Sequence, residues 1–146
     1  MTNPITARAI VAEARSTDAE RKGGTMSIKR ILVVDDSPTE RHMLKDLLTK
    51  AGYEVVSSEN GDDAIRKARQ AKPDLILMDV VMPGLNGFQA TRAISRDAAT
   101  KHIPIVLCTS KSQETDKIGG MRQGARDYVV KPVDKNELLA KITALG

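Results

Sequence analysis

The sequence contains no tryptophan, a single cysteine and only three aromatic residues, Tyr53, Phe88 and Tyr128, among 146 positions. One thiol, Cys108, closes no internal disulfide, so a cystine-stapled secreted scaffold is excluded and a reducing cytoplasm is the expected setting. Its apolar neighbours Ile105, Val106 and Leu107 mark Cys108 as a small core residue. With so few rings, the core has to be aliphatic. Long hydrophobic runs are missing too: none approaches the roughly 20 residues of a membrane span. The N-terminus lacks the apolar segment of a signal peptide, because Arg8, Glu13, Arg15 and Asp18 interrupt it. The formal net charge of +4 is dispersed, and no basic stripe with interleaved aromatics argues for nucleic acid. What is present is ordinary for a soluble globular chain: 40% hydrophobic and 29% charged residues, long enough for one domain with its own core.

Residues 1–26 read differently from the remainder. They are rich in Ala, Thr, Arg and Glu, end in a Lys22-Gly23-Gly24-Thr25 stretch, and lack a broad apolar stripe, so a loosely ordered extension is expected. Translation from Met26 and a docking arm for a partner are the other readings.

From Lys29 onward, short apolar runs alternate with helical patterns. Ile31–Val34 reads as a buried strand that stops on Asp35 and Asp36. Ser37-Pro38-Thr39-Glu40 then has the chemistry of a helix start, with Ser37 as cap, Pro38 in the first turn and Glu40 completing a capping box. Met43, Leu44, Leu47, Leu48 and Ala51 supply that helix with an apolar face before Gly52 ends it. Tyr53–Ser57 is a second strand, and Asn60 opens a second helix, with Asp62 and Asp63 charging its N-terminus. A run at Leu75–Met78 ends abruptly on Asp79, followed by Pro83, Gly84 and Gly87 in a loop and a helix from Asn86 to about Arg96. Pro104–Cys108 is a fourth strand leading into Thr109, Ser110 and Lys111, and Ser112 caps a helix closed near Gly124. Arg126–Val130 is a fifth, leading into Lys131 and Pro132, and Asp134 with Glu137 opens the last helix. Five strands alternating with five helices imply an α/β fold: a five-stranded parallel sheet with helices on both faces.

Parallel strands end on one side, so the residues that close them share an edge. Asp35, Asp36 and Asp79 are placed there with Thr109 and Lys131. Carboxylates brought that close repel one another unless a cation joins them, and hard oxygen donors with room for water suit Mg²⁺. A lysine and a hydroxyl beside such a cluster make sense if an anion with several oxygens arrives, Lys131 and Thr109 each taking one. Asp79 is then the nucleophile and the product an aspartyl phosphate.

These residues, with MPGLNG after Asp79 and the Lys131-Pro132 pair, resemble the receiver domain of two-component signalling, the CheY-like branch of the flavodoxin-like folds. The resemblance covers residues 27–146. The stretches DDSPTE, MPGLNGFQATR, QETDK and RQGARDY look closest to twitching-motility regulators of type IV pili. It implies Asp79 as phosphoacceptor from a histidine kinase of chemotaxis type, and Mg²⁺ held by Asp36, Asp79 and the Val81 carbonyl with Asp35 acting through water. It further implies Lys131 as the phosphate-binding lysine, preceding a cis proline, Thr109 as the switch hydroxyl and Tyr128 as the switch aromatic. Partners would be the kinase and a downstream protein target, in a monomer or weak phosphorylation-dependent dimer. Val81 and Lys111 flank the phosphoryl position; an apolar Val81 offers hydrolytic water no hydrogen bond, so phosphoryl loss is expected to depend on Lys111 or a partner.

The competing readings are weaker. Tyr128 as a static core residue stays open, and His42 and His102 read as solvated histidines. A haloacid-dehalogenase type of phosphatase needs a second acid where Val81 stands. A dinucleotide module needs glycines where DDSPTE stands. After the last helix the chain ends at Gly146, leaving no space for a helix-turn-helix. A stand-alone response regulator is expected, acting either as an output messenger or as a phosphate sink for its kinase.

Overall fold

The computed structural model describes residues 27–110 and 117–146. The extension at 1–26, Lys111 and the Ser112 cap lie outside the described residues. The elements are β1 (Arg30–Val34), α1 (Pro38–Lys50), β2 (Glu54–Ser58), α2 (Gly61–Gln70), β3 (Leu75–Asp79), α3 (Gly87–Arg96), β4 (Ile105–Thr109), α4 (Lys117–Arg122), β5 (Asp127–Val130) and α5 (Lys135–Leu145). All strand pairs are parallel, in the order β2-β1-β3-β4-β5. The expected sheet and helix alternation is therefore present.

Alternation along the strands splits the core in two. Leu32, Val34, Ile76, Met78, Ile105 and Leu107 face one side, under Ala64 and Ala68 of α2 and Ala90 and Ile94 of α3. Ile31, Val33, Leu75, Leu77, Val106, Cys108 and Val129 face the other, under Leu44 and Leu48 of α1 and Leu138 and Ile142 of α5. Strands β3 and β4 are buried at every residue because helices cover both faces, which is why they read as unbroken apolar runs. Cys108 is buried in the second cluster, and burial pushes its thiol up to about 12, so the core reading of this residue holds.

Helix starts follow local chemistry, with one departure. Asn60 accepts from the Asp63 amide, Asn86 and Gln89 exchange both capping-box bonds, and Asp134 accepts from the Glu137 amide. At α1 the box expected from Ser37 and Glu40 is only half formed. The Glu40 amide donates to Ser37 Oγ at 3.3 Å, but the Ser37 amide donates to Asp35 Oδ1 at 2.9 Å and not to Glu40. The apolar face of α1 is also narrower than expected: Leu44 and Leu48 are buried, whereas Met43 and Ala51 are exposed. The second strand runs one residue later than expected: Ser58 pairs with Val34 and its carbonyl accepts from the Asp35 amide at 3.1 Å, while its hydroxyl donates to Asp63 Oδ2 at 2.6 Å. His42 and His102 are exposed, as expected. Among the described residues no helix is long and apolar enough to cross a membrane.

Candidate functional site

The C-terminal tips of β1, β3, β4 and β5 bring the expected residues together. Asp35 follows β1 and is 1% exposed; Asp79 ends β3 and is 7% exposed; Asp36 is open to solvent. Each of the three acids offers an oxygen within 4.8 Å of the others. The β5 tip delivers Lys131, whose Nζ donates to Asp35 Oδ2 and to Asp79 Oδ1, both at 3.0 Å. The backbone holds that lysine in place, since its amide donates to the Thr109 carbonyl at 2.6 Å. The peptide bond between Lys131 and Pro132 is cis, as expected. Thr109 is the last residue of β4, one past the register partner of Asp79. Its hydroxyl is buried and has no hydrogen-bond partner among the described residues, an uncommon state for a buried polar atom.

Asp35 is saturated. Oδ1 accepts from the Ser37 amide, Oδ2 accepts from Lys131, and its carbonyl accepts from Arg41 at 2.7 Å. Sequence patterning does not single out Arg41, which reaches back from the first turn of α1. Val81, two residues past Asp79, is an exposed apolar side chain at the rim, 57% accessible. Tyr128 is half-buried, packed against the core under α2 and α3 on one side. Its ring lies 4.9 Å from Lys141 Nζ, which also donates to the Tyr128 carbonyl at 2.7 Å and to Asp127 Oδ1 at 3.0 Å.

The charges on these groups follow from burial and pairing. Burial pushes the Asp79 carboxyl up to about 6; the Lys131 hydrogen bond pulls it down, while the Asp35 and Asp36 charges push it up again. Burial works against the Lys131 ammonium, but its bonds to Asp35 and Asp79 and their charges outweigh that and hold it above the ordinary lysine range. Because the folded Asp79 binds its proton more tightly than an unfolded aspartate, its contribution to stability is fully present below 3.8 and is lost as pH rises through about 6. In metal-free protein, carboxyl-carbon NMR is expected to place the Asp79 midpoint near that upper value. A midpoint near 3.8, the ordinary value of an aspartate, would contradict it.

A family model described as the response regulator receiver domain matches residues 31–143. The chain belongs to that family. PilH of Pseudomonas aeruginosa is 59% identical over 116 residues, covering 80% of this chain and 96% of PilH. PhoB of the same organism, a phosphate regulon transcriptional regulator, is 42% identical over 80% of this chain; the match spans 51% of PhoB, so this receiver corresponds to about half of that protein. Among solved structures, the Vibrio cholerae chemotaxis protein CheY4 superposes with a TM-score of 0.76 at 33% identity, over 82% of this chain and 100% of CheY4. The receiver domain of a Pseudomonas aeruginosa sensor histidine kinase, with magnesium coordinated in its active-site cleft, gives 0.75 at 30% identity, over 82% and 98%. In the present receiver the donor set fits such an ion: hard carboxylate oxygens, close together, one of them open to water.

Proposed function

We propose that this receiver takes a phosphoryl group from the phosphohistidine of a kinase onto Asp79. An Asp79 carboxylate oxygen attacks phosphorus, the P–N bond to the imidazole breaks, and its electron pair returns to the imidazole nitrogen; the product is an acyl phosphate. Lys131, already pointed at Asp79, donates to a phosphoryl oxygen, and the Thr109 hydroxyl turns to donate to another. Asp36, Asp79 and the Val81 carbonyl would hold Mg²⁺, with Asp35 reaching it through water. When bound, the ion offsets the charge of the transferring group and of the acids around it.

The observation that carries this reading is the Lys131 ammonium clasped between Asp35 and Asp79 beside a buried Thr109 hydroxyl that has no partner among the described residues. Both donors lack a fully used role in the resting protein and gain one when a tetrahedral anion is built on Asp79. Tyr128 follows Thr109 as the aromatic of the switch, and phosphorylation needs to bias only two conformations a few kcal/mol apart. Chemistry is confined to gain and loss of this one group, so the output is a change in protein contacts in the cytoplasm. The 59% identity to PilH supports a place in a chemotaxis-like pathway acting on type IV pili.

Intact-mass analysis after incubation with Mg²⁺ and acetyl phosphate tests the site. Wild type is expected to gain one phosphoryl group, and Asp79→Asn none. An adduct retained in Asp79→Asn would place the acceptor elsewhere. An adduct on wild type that persists fits a messenger; one that vanishes within the time course fits a sink for the kinase.

A further inference from the structure

Glu40 occupies the third position of α1, where the Ser37 spacing calls for it to turn back and accept from the cap amide. Asp35 takes that amide instead, and the Glu40 carboxylate lies with Oε1 3.7 Å from Lys131 Nζ. An ammonium carries three protons. Two go to Asp35 and Asp79 at hydrogen-bond distance, so Glu40 is a third acid in ion-pair range without a hydrogen bond.

We propose that Glu40 is a positioning residue for Lys131, one that holds the ammonium toward the acids and weakens the site's grip on a tetrahedral anion at Asp79. The inference rests on the phosphoacceptor reading of Asp79. To serve such an anion, Lys131 has to redirect a donor from a carboxylate to the newcomer. Glu40 opposes this in two ways of the same sign: it attracts the ammonium, and its own charge repels the arriving anion. Its side chain is 35% exposed, so solvent screens the interaction and the effect is modest. Asp35 makes it possible, because by capturing the Ser37 amide it frees the carboxylate that a complete capping box would have tied down.

The measurement is titration calorimetry of fluoroberyllate, a tetrahedral stand-in for a phosphoryl group to which an Asp79 oxygen supplies an electron pair, in saturating Mg²⁺. Wild type, Glu40→Gln and Glu40→Asp are compared, each with its thermal midpoint. Glu40→Gln removes the charge; Glu40→Asp keeps it at the helix N-terminus but draws it back by one methylene. Binding to Glu40→Gln is expected to be roughly threefold tighter than to wild type, with Glu40→Asp in between. Unchanged affinity in Glu40→Gln, with or without a shifted midpoint, would leave Glu40 a helix-terminus residue and overturn the proposal. So would tightening in Glu40→Gln with Glu40→Asp indistinguishable from wild type, since the charge of the helix start would then suffice. Failure of wild type itself to bind fluoroberyllate would overturn the phosphoacceptor reading, and this inference with it.

Discussion

With Lys131 replaced by methionine, the metal-free protein is expected to lose roughly 3 kcal/mol of stability, and Mg²⁺ to return a large part of it. Methionine fills much of the same length but brings no charge. Asp35 and Asp79 are left 1% and 7% exposed with no ammonium between them, two buried carboxylates facing each other. Removing one partner of a buried ion pair is costly because the remaining charge keeps its desolvation penalty and loses the attraction that offset it. The Asp79 carboxyl then moves further above the value near 6 that it has with Lys131 in place. A divalent cation bound only by the folded state raises stability by mass action, and it substitutes for the missing ammonium most strongly where none remains. Urea unfolding of wild type and Lys131→Met, each with and without Mg²⁺, reads both effects. Equal stability of the two proteins without metal would mean that desolvation of Lys131 already cancels its attraction to the acids, and the clasp would be a device of function alone. A Mg²⁺ response no larger in Lys131→Met than in wild type would sink the claim that metal and lysine answer the same charge. The phosphoryl-uptake rate is expected to fall roughly a hundredfold, as for loss of one donor at a reacting oxyanion.

The sheet and the acids at its edge were legible because they depend on patterns that a single chain displays. Leu75–Met78 is apolar at every position since β3 is covered on both faces, and Asp79 interrupts it at the edge. The same logic places Asp35 after β1 and Thr109 at the end of β4. What the pattern hides is competition between distant groups for one hydrogen bond. Ser37 and Glu40 carry the spacing of a reciprocal cap, and nothing local reveals that Asp35 takes the Ser37 amide. Ser58 belongs to β2 because its backbone pairs with Val34 and the Asp35 amide, a reason that apolar periodicity does not register. Met43 and Ala51 keep helical spacing with Leu44 and Leu48 yet stay exposed, since α1 meets the sheet along a narrow line. In each case the sequence names the right residue types, and the three-dimensional neighbour decides their use.

The position of Asp79 depends on a residue with no side chain. Gly87 opens α3, and its amide donates to the Val80 carbonyl at 2.8 Å, folding the loop back onto the end of β3. A Cβ there would stand 2.1 Å from the Asp79 carbonyl oxygen, 2.8 Å from the Val80 Cα and 2.9 Å from the Asp79 carbonyl carbon. All three are backbone atoms, which cannot rotate away as a flexible side chain would. Gly87→Ala is therefore expected to cost about 3 kcal/mol, the upper range for overpacking, through displacement of α3 or of the strand tip. Gly84 separates this steric demand from backbone strain: its φ is +77°, but a Cβ there meets nothing within 4 Å, so Gly84→Ala pays only the left-handed penalty of roughly 1 kcal/mol. Urea midpoints of the two variants should rank in that order. Mg²⁺ affinity, by calorimetry, should fall in Gly87→Ala because the nearest way to relieve the clash moves the peptide that carries Asp79. Equal midpoints would mean that α3 shifts freely, and an unchanged Mg²⁺ affinity would mean that the helix yields and the carboxylate does not. The aspartate is the proposed phosphoacceptor at this edge, and the glycine eight residues later is what permits the helix to pack against it.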